Sequence, residues 1–166
     1  MRTCHKLLLL FAVLLWAEHG FAQSIDTVKL NFIKRQFAEI NRNLKSCKKV
    51  EKEDTVETTE GNGVLLYYSG KEIKKIAATY FGETGKAVQE YYFADNKLIF
   101  CYCVDYHYNM PISEKGGGKI RSTTEERFYL SDCKVFLLKK KPAVSEYFSE
   151  FPDDPVKEAK RLMSLK

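Results

Sequence analysis

Histidine is scarce in this chain of 166 residues: three in all, His5, His19 and His107. The first two fall in an N-terminal leader, so His107 is the one imidazole left for acid–base or triad chemistry in the mature chain. No G-x-S-x-G stretch occurs, which excludes a nucleophile elbow. No Cys-x-x-Cys occurs either, which excludes a thioredoxin-type pair and the usual four-cysteine zinc frameworks. Gly116-Gly117-Gly118 precedes Lys119 but no Ser or Thr follows, so a phosphate loop fails and a flexible hairpin tip is the better reading. Glu83, Glu90, Glu125 and Glu126 are numerous, yet nothing in their spacing singles out two as a working pair. Twenty-seven Lys and Arg residues lie scattered among twenty-two Asp and Glu residues, with no basic stripe of the kind nucleic acid requires. No catalytic residue, no cofactor, no metal site and no nucleic-acid partner is therefore expected.

What is present begins with the leader. Arg2 and Lys6 precede an apolar run at residues 7–17 (LLLLFAVLLWA), and HGFAQ follows with small residues at Gly20 and Ala22. Charge, apolar run and small-x-small site are the parts of a secretory signal peptide, cut after Ala22, with Gln23 the close alternative. The run is shorter than the roughly 20 apolar residues a spanning helix needs, and no later segment is longer. The expectation is a signal peptide at residues 1–22, a single domain at 23–166, a secreted or periplasmic location and no membrane span after cleavage.

Helical periodicity comes first in the mature part. Asp26 is a cap, and Leu30, Ile33, Phe37, Ile40, Leu44 and Cys47 recur at spacings of three and four through residues 27–50. Lys45, Lys48 and Lys49 then suit the helix C-terminus. A polar stretch at 51–63, ending Gly-Asn-Gly, reads as a loop. Strand-like runs follow: one at 64–68, a turn at Ser69-Gly70, and a return at 71–80. Near the C-terminus, Val144, Tyr147, Phe148 and Phe151 precede Asp153-Asp154-Pro155, which starts a short helix with Val156, Ala159, Leu162 and Met163 on its apolar side. That helix is expected against the sheet edge or the first helix.

Between these lies an internal echo: YYFADNKLIF from Tyr91 matches FYLSDCKVFL from Phe128 position by position in kind, and LYYSGKEIKKI from Leu66 repeats it loosely. With Asp95-Asn96 as the centre of a type I′ turn, simple pairing sets Phe93 against Leu98 and Tyr91 against Phe100. Alternation then puts Tyr91, Phe93, Leu98 and Phe100 on one face with Phe128, Leu130, Val135 and Leu137, the face the first helix is expected to cover. The other face carries Tyr92, Ile99, Glu90, Cys101, Tyr129, Phe136, Arg127 and Leu138, a mixed set. Cys133 sits where positive φ favours Asn or Gly.

Cys47, Cys101, Cys103 and Cys133 remain after cleavage. Cys101 and Cys103 leave one face of a strand, where a bond between them would close an awkward small ring. A disulfide of Cys47 to Cys101 or Cys103 stays open if the helix end crosses that strand. The segment at 105–120, DYHYNMPISEKGGGKI, is long for a meander connection and rich in recognition residues. Tyr106, His107, Tyr108, Asn109 and Met110 are the candidate ligand-binding loop.

The motif Tyr67-Tyr68-x-Gly70-Lys71-x-Ile73 and the two Tyr/Phe–Asp–Lys hairpins resemble the strand–turn–strand units of MORN-type repeats and of small exported bacterial proteins with a leading helix. Asn96 and Cys133 stand where such repeats have glycine. The resemblance implies an antiparallel meander and a binding or scaffold role with no catalytic residues. The expected fold is α+β: a long N-terminal helix on an antiparallel meander of about six strands, read from the period-two runs, and a short C-terminal helix. The expected function is a non-enzymatic binding or interaction protein for a protein or glycan partner. The alternatives are an inhibitor of an exported hydrolase, or a hydrolase using His107.

Overall fold

The computed structural model describes residues 26–141 and 151–166. The leader and Val144, Tyr147 and Phe148 lie outside the described residues. Helix α1, Thr27–Asn43, starts where Asp26 accepts a hydrogen bond from the Lys29 amide at 3.0 Å. Ile33 and Ile40 are its buried residues, with Leu30 packed beside them. The helix ends at Asn43, earlier than its apolar spacing suggests. A single 3₁₀ turn, Leu44–Ser46, follows, and Cys47 is already extended. Lys48–Lys52 then forms strand β1, in register with the next strand through Lys48↔Tyr68, Val50↔Leu66 and Lys52↔Val64. Charged residues at four of the five positions solvate an edge strand well, and the strand ladder gives the backbone partners that a fraying helix end lacks.

Six more strands follow: β2 Asn62–Ser69, β3 Glu72–Gly82, β4 Gly85–Ala94, β5 Lys97–Tyr108, β6 Ile120–Ser131 and β7 Lys134–Lys141. All pair with their chain neighbours, so the described sheet is a seven-stranded antiparallel meander, one strand more than expected because β1 is added. Helix α2, Pro155–Met163, closes the chain. The architecture is α+β, and among the described residues no helix is long and apolar enough to cross a membrane.

The sequence echo is a structural repeat. Hairpins β2–β3, β4–β5 and β6–β7 each turn through two residues, make two regular pairs, and then carry one extra residue on the returning strand. The extra residues are Lys74, Ile99 and Phe136. The turns are Asp95-Asn96 and Asp132-Cys133, all four with φ between 50° and 61°, and Gly70-Lys71 with φ 61° at the glycine. The first turn is thus one residue later than Ser69-Gly70. Its lone left-handed glycine at the first central position fits a II′ turn, while the other two keep I′ geometry. Cys133 holds the left-handed conformation despite its Cβ.

The bulges correct the assignment of faces. A bulge sets two residues of one strand against one of its partner, so alternation is broken at that point. Tyr92 therefore pairs with Phe100 and Tyr91 with Cys101, not Ile99 and Phe100. Tyr129 likewise pairs with Leu137 and Phe128 with Leu138. Tyr91, Phe93, Leu98, Cys101, Cys103, Phe128 and Leu130 form one core with Val64, Leu66 and Ile76. Phe100 and Leu137 move to the other side, where Tyr92, Ile99, Tyr129 and Phe136 pack against Ile33 and Ile40 of α1. The first helix covers the mixed face.

The larger core belongs to α2. Asp154 caps that helix, accepting from the Val156 and Lys157 amides at 2.9 and 3.1 Å, and Ala159 and Leu162 are buried against the sheet. Its place on the face opposite α1 differs from the edge or helix contact expected. A polar clamp fixes it there. Arg161 grips Asp54 with two bonds of 2.6 Å, and the Tyr80 hydroxyl donates to Asp54 at 2.9 Å.

Candidate ligand-binding groove

The first part of the expected recognition loop is strand. Tyr106, His107 and Tyr108 end β5, paired with Thr123, Ser122 and Ile120 of β6. The true connection is residues 109–119, and it is pinned rather than loose. The Asn109 side chain accepts from the Lys119 amide at 3.0 Å and donates to the Gly116 carbonyl at 3.2 Å. The Ile112 amide and Ser113 hydroxyl both bond to Glu83 in the β3–β4 turn, at 2.9 Å each. A Cβ on Gly117 would lie 1.8 Å from the Pro111 carbonyl oxygen, so only glycine fits that close approach. Gly116 and Gly118 on either side hold positive φ, so the tip expected to be flexible forms a hydrogen-bonded turn. Asn109 closes the loop on itself, and Met110 stands partly exposed on it.

Tyr106 and His107 share a cleft of about 370 Å³ with Tyr80, Lys86 and Asp105 at the open end of the sheet, while Tyr108, Asn109 and Met110 do not line it. The Lys86 ammonium lies 5.0 Å from the Tyr106 ring centre, and His107 Nε2 is 3.4 Å from Thr124 Oγ1.

The thiols separate into three places. Cys101 and Cys103 are fully buried with their sulfurs 3.5 Å apart. They lie under α2 in the main core, not on the outer face that unbroken alternation assigns. Burial, and then Cys103, push the Cys101 thiol well above its ordinary value, which suits a protonated, apolar-like side chain. Cys47 bonds to the Asn43 carbonyl beside edge strand β1. Three strands separate β1 from β5, which places it roughly 19 Å away along the sheet, beyond the reach of a disulfide. The four described cysteines are free thiols, and Cys133 is exposed at its turn.

A more apolar concavity lies elsewhere. Between α1 and strands β5 and β6 is a groove of about 420 Å³, lined by Ile33, Lys34, Phe37, Phe100, Tyr102, Arg127 and Tyr129. Its rings interlock: Phe37 meets Phe100 edge-on at 5.6 Å between centroids, and Phe100 lies 5.0 Å from Tyr129. Arg127 stacks 5.1 Å over Tyr102, and Lys139 stands 6.0 Å from the Tyr129 ring. Burial, and then neighbouring Glu125, push the Tyr102 phenol up to about 12, so its hydroxyl is neutral and able to donate.

A buried polar knot holds α1 beside the groove. Lys75 and the Tyr92 hydroxyl each reach Glu90 at 2.6 Å, and both approach Asn41 of α1 at 3.4 and 3.3 Å. The mixed composition of this face was the available sequence signal. The groove itself was hidden because Phe100 enters it only through the bulge at Ile99.

Comparison of the chain with protein-family models, with curated proteins and with solved structures gives no significant match in any of the three.

Proposed function

We propose that the protein is an exported, non-enzymatic binding module that seats its ligand in the groove between α1 and strands β5–β6. The groove carries this reading. Its volume of about 420 Å³ falls in the range of roughly 300–1,000 Å³ common for ligand sites. Its lining offers apolar and aromatic surface and two cations, Lys34 and Arg127. Export rests on the leader, and the repeated hairpins supply a stiff aromatic floor. The ligand is a small molecule or a projecting group of a protein or glycan partner.

The test is a thermal-shift screen of the mature chain against anionic, aliphatic and sugar compounds, because a ligand that binds only the native state raises the melting temperature. Compounds that stabilise the wild type are expected to lose that effect in Phe37→Ala and Tyr102→Ala. Equal shifts in wild type and both variants would overturn the groove as the seat.

The stiff loop favours a second reading, inhibition of an exported hydrolase. Met110 and Ile112 project apolar surface, 38% and 44% exposed, from a loop already held in one shape. Preorganised loops bind with less ordering cost. Suppression of a lysozyme- or protease-type activity that disappears in a Met110→Ser, Ile112→Ser double variant is the expected result. No suppression in such a screen removes that reading.

A further inference from the structure

The charges around the groove narrow its ligand, given the binding reading above. Lys34 projects from α1 and Arg127 from β6, both into the lining. Lys139 is the register partner of Arg127 on β7, and Lys141 that of Glu125. The acid beside these cations is Glu125, already held by Arg127 at 2.5 Å and Lys141 at 3.3 Å. Although burial pulls its carboxyl upward, Lys141 and Arg127 hold it below the usual glutamate value, so it stays ionised and engaged. Positive charge is left in excess at the groove mouth.

Arg127 has donors to spare. A guanidinium carries five N–H bonds in a planar fork, and its contact to Glu125 is through one nitrogen. Stacking on Tyr102 fixes the plane of that fork at the groove edge. Below it the lining is apolar, with Phe37 edge-on to Phe100 and Phe100 tilted against Tyr129, so ring edges and faces alternate. An aromatic ligand gains more from such a lining than an aliphatic one, because ring–ring contacts, edge-to-face included, add to simple area burial.

We infer that the groove takes an aromatic carboxylate, its ring system packed against Phe37, Phe100 and Tyr129 and its carboxylate meeting Arg127 and Lys34.

Calorimetry on the mature chain with three probes tests this. They are 1-naphthoate, the uncharged 1-naphthylmethanol with the same rings, and octanoate with the same charge and no ring. Naphthoate is expected to bind about tenfold or more tightly than naphthylmethanol, the scale of one charge-assisted hydrogen bond, with that margin shrinking as salt is added, and more tightly than octanoate through its ring contacts. Arg127→Gln is expected to erase the preference for naphthoate over naphthylmethanol, and Lys34→Gln to reduce it. Unchanged naphthylmethanol binding and melting temperature in each variant would show that the groove is intact. Equal binding of the two naphthyl probes by the wild type, or a preference that survives Arg127→Gln, overturns the carboxylate and leaves the groove reading standing. Octanoate binding as tightly as naphthoate overturns the aromatic half. No binding of any probe overturns both the inference and the groove as a ligand seat.

Discussion

Replacing Asp54 by Asn should strip the clamp that fastens α2 to the sheet. The Asp54 side chain has no solvent exposure and receives both Arg161 terminal nitrogens at 2.6 Å. It also accepts from the Tyr80 hydroxyl at 2.9 Å and the Val56 amide at 3.3 Å. Breaking a buried ion pair by removing one partner costs about 3–5 kcal/mol. Arg161 is 34% exposed and keeps Glu158 at 2.6 Å, so about 2–3 kcal/mol is the better figure for this site. A separate route gives a similar answer. Arg161, against the opposing effect of burial and with help from Tyr80, lowers the Asp54 carboxyl from an ordinary 3.8 to about 2. At about 1.36 kcal/mol for each unit, that is about 2 kcal/mol. The sign follows from the depressed value: the contribution is complete above the unfolded-state value and is lost as pH falls through about 2. Urea unfolding of wild type and Asp54→Asn at pH 7 should therefore differ by about 2–3 kcal/mol, and the gap should close as pH falls from about 4 toward 2. A gap under about 0.5 kcal/mol at neutral pH, or one that does not narrow in acid, refutes the reasoning.

Cys133→Gly should stabilise the protein by about 1 kcal/mol, because Cys133 holds φ at 61° in an exposed turn and an L side chain there costs about 1–2 kcal/mol. Thermal melting checks it, and an unchanged or lower midpoint contradicts the strained turn. Thiol labelling of the native mature chain should modify Cys47 and Cys133 quickly, while Cys101 and Cys103, both fully buried, react only on unfolding. Four thiols reacting at one rate would show that α2 does not seal this core.

Local chemistry announces much of the fold. Asp26 begins α1 and Asp154-Pro155 begins α2, because a short carboxylate that accepts amide bonds acts within one turn of chain. Asp95-Asn96 and Asp132-Cys133 turn where the repeat places them, with Phe93 opposite Leu98 as simple pairing requires. Beyond that pair the reading fails at one kind of residue. Ile99 and Phe136 look like any other apolar strand position, yet each is the extra residue of a bulge, and each reverses the faces of all that follows on its strand. The candidate site was less visible than the fold. Tyr106 and His107 do share a cleft, but Asn109 and the glycines serve the loop itself, and the aromatic groove needs residues from α1, β5 and β6.

The sequence by itself determined the two helix starts, the repeated two-residue turns and the α+β class, since each depends on residues within a few positions of one another. Tertiary structure alone decided that residues 48–52 leave the helix to join the sheet, and which face each helix covers. It also decided that Phe100 meets Phe37 while Cys101 is sealed beneath α2. Those outcomes depend on strand register, and register is set by how a twisted sheet fits its neighbours. A bulge has no composition of its own, so the chain carries its consequence without displaying its position.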